Sequence, residues 1–231
     1  GVFLLSGNST VEDNNILNIP TLAVWTSSNY NVVQNNYIDR GRIAMGPASH
    51  NKILNNTILN NNIAGAIEMM IGDASHKNDY NIVRGNHIKN SASKGIELYT
   101  TASTVSPTGN IISGNIIENT TSAAIYVRGT GVKNNQLINN TIIGGSPAQI
   151  IVDRTDGSPS GNSFDGNKLV GGYFYILSND NSYNKNESPG ADFGFFLQDA
   201  RRNVFSNNKI IDASSAGFRM YLTAAGAFMD Y

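Results

Sequence analysis

The sequence predicts an all-β solenoid, and three observations carry that expectation. An eight-residue phrase, N-x-[IVLF]-x-[NGD]-N-x-[IL], returns along the whole chain. A second apolar segment with period-two alternation lies between its copies. No stretch holds a helical period. The phrase reads NVVQNNYI from Asn31, NKILNNTI from Asn51, NIVRGNHI from Asn81 and NIISGNII from Asn110. It continues as NQLINNTI from Asn135, NSFDGNKL from Asn162 and NVFSNNKI from Asn203, with weaker copies at Ser9 and Asn181. Its sixth position is always asparagine: Asn14, Asn36, Asn56, Asn86, Asn115, Asn140, Asn167, Asn186 and Asn208.

Taken in order, each turn of the solenoid contributes three short strands. The residues on either side of the sixth-position asparagine read as two strands meeting at a tight bend. The third strand is the alternating segment: AIEMM from Ala66, GIELY from Gly95, AIYVR from Ala124, QIIVD from Gln149, GFFLQ from Gly194 and GFRMY from Gly217. Strands this short cannot form a domain alone, so they must stack coil on coil, about 4.8 Å apart. About nine such coils describe a parallel β-helix, and the general preference of parallel crossovers makes it right-handed. Ile and Val at matching positions form inward columns. The repeated asparagine is expected to point inward as an amide ladder, all nine copies at one bend.

Composition narrows the function. The chain has 231 residues, a net charge of −1 and no cysteine, with 34 asparagines. A near-neutral chain lacks the basic footprint of a nucleic-acid binder. Disulfides and thiolate chemistry are excluded. No apolar run approaches the ~18 residues of a membrane span, so no membrane insertion is expected. One domain, residues 1–231, is expected; it opens directly on a strand and shows no amphipathic cap, which points to a segment of a longer protein. Five Asn-x-Ser/Thr sequons, at Asn8, Asn55, Asn119, Asn139 and Asn186, follow from the asparagine content alone.

The phrases NKILNNTI, NIVRGNHI and NIISGNII resemble the repeats of the pectate-lyase-like right-handed parallel β-helix superfamily. The likeness is to its Asn-rich form, in NosD-like surface proteins, alginate lyases and epimerases, and phage tailspikes. The resemblance implies that the alternating segments form the first sheet and that a substrate groove runs along it. It further implies a secreted, cell-surface or virion-surface protein acting on a polysaccharide. The family's catalytic patterns are incomplete here. No Asp-Pro-His-Glu run and no paired aspartates of the polygalacturonase kind occur. Tyr126-Val127-Arg128-Gly129 resembles the Arg-His-Gly pattern of alginate and chondroitin lyases, but Thr130 replaces the histidine, and Thr100 and Thr101 stand where a lysine is sought.

Outward positions of the first sheet follow from the alternation. One column runs Trp25, Ala44, Glu68, Glu97, Tyr126, Ile151, Tyr175, Phe196 and Arg219; the next runs Met70, Tyr99, Arg128, Asp153, Leu177, Gln198 and Tyr221. Glu68 and Glu97 are expected to be exposed on successive coils about 5 Å apart. Such a pair would share a proton or, with Asp73, hold a calcium ion. Glu68, Glu97, Tyr126 and Arg128 are the candidate catalytic residues. Trp25, Tyr99, Asp153, Tyr175 and Arg219 are the candidate substrate contacts, since aromatic planes stack on sugar rings and arginine pairs with carboxylates. The leading expectation is a carbohydrate-active β-helix that binds an acidic polysaccharide and cleaves or epimerises it. A non-catalytic structural or adhesive module, assembling as a trimer or filament, is the alternative. A retaining glycoside hydrolase built on Glu68 and Glu97 is a third. On another face, Lys89 and Glu118 are expected to pair, beside Arg84 and His87, while His50 and His76 lie in loops without a metal-ligand partner.

Overall fold

The computed structural model describes residues 1–71, 78–100 and 107–222. Within them every strand is parallel to its neighbours and lies in one of three sheets. The first sheet has ten strands, from Val2–Leu4 to Ala216–Tyr221; the second has nine, from Thr10–Glu12 to Val204–Ser206; the third has nine, from Asn15–Leu17 to Lys209–Ile211. One coil therefore visits all three sheets in turn, as in Ile82–Arg84, His87–Lys89 and Ile96–Thr100. This is the expected parallel β-helix.

The corners explain the phrase. Each coil places left-handed residues at five-residue intervals, for example Tyr30, Asn35 and Arg40, or Gly109, Gly114 and Asn119. Between successive corners lie four residues, the first and third pointing inward and the second and fourth outward, as Asn31 and Val33 do against Val32 and Gln34. Glycine and asparagine dominate these corners because they tolerate positive φ best. That accounts for the [NGD] position of the phrase.

The sixth-position asparagines form the expected ladder, and every amide group in its middle is satisfied. Asn115 Nδ2 donates to Asn140 Oδ1 at 2.9 Å and to the Val83 carbonyl at 3.0 Å. Its Oδ1 accepts from the backbone N–H and the Nδ2 of Asn86. All nine residues join this chain of bonds, but the register is less uniformly buried than expected. Asn14 is exposed and Asn208 half-buried, whereas the seven between them are buried. A second ladder, at the first position of the phrase, escaped the sequence reading. It runs through Asn31, Asn51, Asn81, Asn110, Asn135, Asn162, Asn181 and Asn203, with Asn110 Nδ2 to Asn135 Oδ1 at 2.9 Å.

The interior is a set of stacked columns. Val33, Ile53, Val83, Ile112 and Leu137 pack along the second sheet, and Ile38, Ile58, Ile88, Ile117 and Ile142 along the third. In the later coils these aliphatic columns become aromatic. Phe164, Tyr183 and Phe205 stack at 4.7 and 4.9 Å, beside Phe174, Phe195 and Phe218 at 4.8 and 5.0 Å. On the third sheet the small Ser188 occupies the inward position between Leu169 and Ile210, leaving room for those rings.

Candidate functional site

Both outward columns of the first sheet fall in the expected register. Trp25 pairs Ala44, Ala44 pairs Glu68, Glu68 pairs Glu97 and Glu97 pairs Tyr126. The column continues through Ile151, Tyr175 and Phe196 to Arg219. Tyr99, Arg128 and Asp153 are likewise neighbours in the second column.

Burial corrects the expectation for the two glutamates. Glu68 is only 3% exposed and Glu97 only 5%. Their stems lie over Gly65, where a Cβ would come within 3.2 Å of Glu68 Cγ and 3.3 Å of Glu97 Cβ and would crowd both chains. Each carboxylate then meets its own cation. Arg42 Nη1 and the Gly65 N–H donate to Glu68, and Lys94 Nζ donates to Glu97 Oε1 at 2.7 Å. Burial, opposed by Arg42 and assisted by Glu97, raises the Glu68 carboxyl above its ordinary value. A calcium ion on Glu68 and Glu97 would have to displace both cations. Among the described residues no group of three or more His, Asp or Glu side chains is placed to hold a metal. Asp73, the third expected ligand, and His76 lie outside the described residues.

From the glutamates a polar network runs across the coils. Lys94 Nζ lies 4.8 Å from the centre of the Tyr126 ring, and the Tyr126 hydroxyl donates to Asp153 Oδ2. Asp153 Oδ1 accepts from the Thr155 N–H and hydroxyl at 2.9 and 2.7 Å. Burial pushes Asp153 upward, but Tyr126, Thr155 and Arg128 outweigh it and hold the carboxyl below its ordinary value. The Arg128 guanidinium lies 5.9 Å from the centre of the Tyr99 ring, and its Nε is 2.6 Å from Asp156 Oδ2, an ion pair by distance without hydrogen-bond alignment. Both phenols are pushed up to about 12. Burial is the main cause in each, reinforced at Tyr99 by Glu68 and Glu97, and at Tyr126 by Asp153.

The later coils carry an aromatic platform. Tyr175 stacks on Phe196 at 5.2 Å and Phe196 on Phe193 at 5.7 Å, with Tyr173 edge-on to Phe193 at 5.5 Å. The Tyr175 hydroxyl donates to Gln198 Oε1. Arg219 lies over both phenylalanine rings, at 5.1 and 5.3 Å. Trp25, at the other end, rests against Gly46 of the next coil.

Sequence reasoning missed Arg42, Lys94, Asp156, Tyr173 and Phe193. Lys94 had a local signal, standing three residues before Glu97; Arg42 had only its place in the outward alternation. Elsewhere, Lys89 and Glu118 pair as expected at 3.4 Å, and His87 Nε2 joins them 2.6 Å from Glu118 Oε1. His50 is stacked between Tyr30 and Tyr80.

Comparison with known proteins then fixes the family. The profile of the right-handed β-helix region matches residues 1–142 and 105–229. The chain belongs to the right-handed β-helix family. No curated protein matches it in sequence. Among solved structures, this β-helix is similar to the catalytic domain of a GH87 α-1,3-glucanase in complex with nigerose. The TM-score is 0.72 and the identity 13%, over 98% of this chain and 56% of the glucanase chain. It is also similar to the catalytic unit of a thermostable GH87 α-1,3-glucanase from Streptomyces thermodiastaticus, with TM-score 0.56, 13% identity, and 98% and 51% coverage. A third likeness is to PfbA, a surface adhesin of Streptococcus pneumoniae, with TM-score 0.57, 11% identity, and 96% and 74% coverage. The chain thus spans just over half the length of the glucanase domain. At these identities the shared property is the fold. No helix among the described residues is long and apolar enough to cross a membrane.

Proposed function

We propose that this β-helix binds a polysaccharide along the outer face of its first sheet and holds it without cleaving it. One observation carries the reading: half-buried rings with fixed polar partners recur along that face. Tyr99 and Tyr126 stand among the ion pairs, and Tyr173, Tyr175, Phe193 and Phe196 form the platform beyond them. Ring faces stack on sugar rings, while paired charges offer donors and acceptors to hydroxyl groups. The glucanase relative, in complex with nigerose, and the adhesin both support a carbohydrate or surface-binding role for this scaffold.

Among the described residues, Glu68, Glu97 and Tyr126 are poorly set for the lyase or hydrolase chemistry expected of them. Lyase or epimerase action needs a base at C5 of a uronic acid, with a pKa near the working pH. Tyr99 and Tyr126, pushed up to about 12, keep their protons at neutral pH. Retaining hydrolysis needs a carboxylate open to the sugar. Glu68 and Glu97 are buried and each already engages a cation.

Affinity electrophoresis against a panel of soluble polysaccharides, with product analysis on the same mixtures, tests this. Retardation by at least one polymer is expected, without new reducing ends or unsaturated products. Tyr126→Ala and Phe196→Ala should each weaken binding roughly tenfold, as loss of an aromatic anchor does. Product release overturns the non-cleaving reading, and full binding by both variants overturns this face.

A further inference from the structure

The charges on the outer face carry the assignment one step further, resting on the polysaccharide reading above. Four of its cations are committed to carboxylates: Arg42 to Glu68, Lys94 to Glu97, Arg128 to Asp156 and Arg154 to Asp199. Arg219 lies over Phe193 and Phe196, at the same end as the exposed Asp192, and both charges act on Tyr173. Asp153 is left over. Its carboxyl is held by the Tyr126 hydroxyl and Thr155 and shares Arg128 with Asp156. Among the described residues the centre of the face is therefore anionic by one charge, and Arg42, Lys94, Arg128 and Arg154 each face a carboxylate.

We infer that the ligand of this face is an uncharged glycan and that Asp153 with its paired neighbours discriminates against polyuronates. At the centre of the face an acidic polymer would bring a carboxylate on each residue toward Asp153 and Asp156, where the guanidinium of Arg128 already faces Asp156. Like charges juxtaposed across an interface cost affinity and so set specificity. A neutral chain meets no such penalty. Its hydroxyls donate to the spare lone pairs of Asp153 and accept from Lys94 and Arg128, while its ring faces lie on Tyr99, Tyr126 and the platform. The sequence offered Arg128 to neutralise a substrate carboxylate, and in the structure its Nε already lies 2.6 Å from Asp156 Oδ2.

The test compares polymers that share a backbone and differ only in charge. Alginate and polygalacturonate are each presented beside their carboxyl-reduced forms. Soluble α-1,3-, α-1,4-, β-1,3- and β-1,4-glucans are each presented beside forms oxidised to carboxylates at the primary hydroxyls. The full chain is expected to bind at least one neutral member tenfold or more tightly than its acidic counterpart. Asp153→Asn, which keeps an acceptor for Tyr126, should narrow that ratio by tightening the acidic form relative to the neutral one. Equal or tighter binding of the acidic member overturns the inference while leaving the polysaccharide reading standing. So does a ratio that Asp153→Asn leaves unchanged. Binding to no polymer in either form overturns the polysaccharide reading itself.

Discussion

At the scale of single residues, two buried groups stand out by their environment. Tyr183 is fully buried among Phe164, Phe174, Phe195 and Phe205, and its hydroxyl has no hydrogen-bond partner. A buried hydroxyl without a partner bears its full desolvation cost. Tyr183→Phe keeps the ring stack and removes that cost, so a gain of about 1 kcal/mol in denaturant unfolding is expected; a loss would show that the hydroxyl is satisfied. Glu68 is the second case. Burial is the first cause of its raised carboxyl, so between its ordinary value of 4.5 and its folded value the native state holds more protons than the unfolded chain. Stability from this group is therefore present below its unfolded pKa and declines as pH rises through the folded one. Glu68→Gln removes the titration. The melting temperature of the variant relative to the parent should climb as pH is raised upward from about 4. A flat difference would mean that Arg42 fully compensates the burial.

At the scale of the strand and its corner, the five-residue spacing of left-handed residues sets which side chains can stand where. Gly166, at φ 64°, sits directly beneath Asn139 Oδ1, whereas Gly114, at φ 60°, has nothing within 4 Å of where a Cβ would be. Gly166→Ala is expected to cost about 1–2 kcal/mol, chiefly from positive φ, since the tip of the exposed Asn139 side chain can turn aside. Gly114→Asn should stay within about 0.5 kcal/mol, because Asn already stands in that column at Asn35, Asn55, Asn139 and Asn207. Equal costs by chemical denaturation would remove the left-handed backbone as the cause. The same spacing shows what the sequence made legible. The alternation placed Glu68, Glu97, Tyr126 and Arg128 correctly, because a parallel ladder has one register that keeps Ile67, Ile96 and Ile125 inside. The burial of the glutamates was not legible. It depends on Arg42, whose ion pair with Glu68 crosses coils of unequal length, and on the absence of a side chain at Gly65. The second ladder was hidden differently: Asn31, Asn81 and their equivalents were visible as letters, but nothing in the phrase alone shows that its first residue also turns inward.

For the whole molecule, the question is whether these coils unfold as one body or as a row of neighbours. Among the described residues each coil touches chiefly the coil before and the coil after it, through strand pairing, stacked columns and two amide ladders, and the Arg154–Asp199 ion pair reaches one coil further. In such an array stability is the sum of intrinsic and nearest-neighbour terms, so a local defect weakens its own surroundings first. Asn115→Ala is the sharpest probe because it sits mid-stack in a fully satisfied ladder. It removes the acceptor used by the Asn86 N–H and Nδ2 and the donors used by Asn140 Oδ1 and the Val83 carbonyl. The expected cost is about 1–3 kcal/mol for buried amide groups left short of partners. Hydrogen exchange then separates the two pictures. If neighbour terms dominate, protection falls at Asn86, Asn115 and Asn140 and is retained at Asn36 and Asn186. If the solenoid opens only as a unit, the slowest amides at all five rungs lose protection by the same factor. The local pattern is expected, because the rungs at Asn36 and Asn186 share no hydrogen bond with the altered coil.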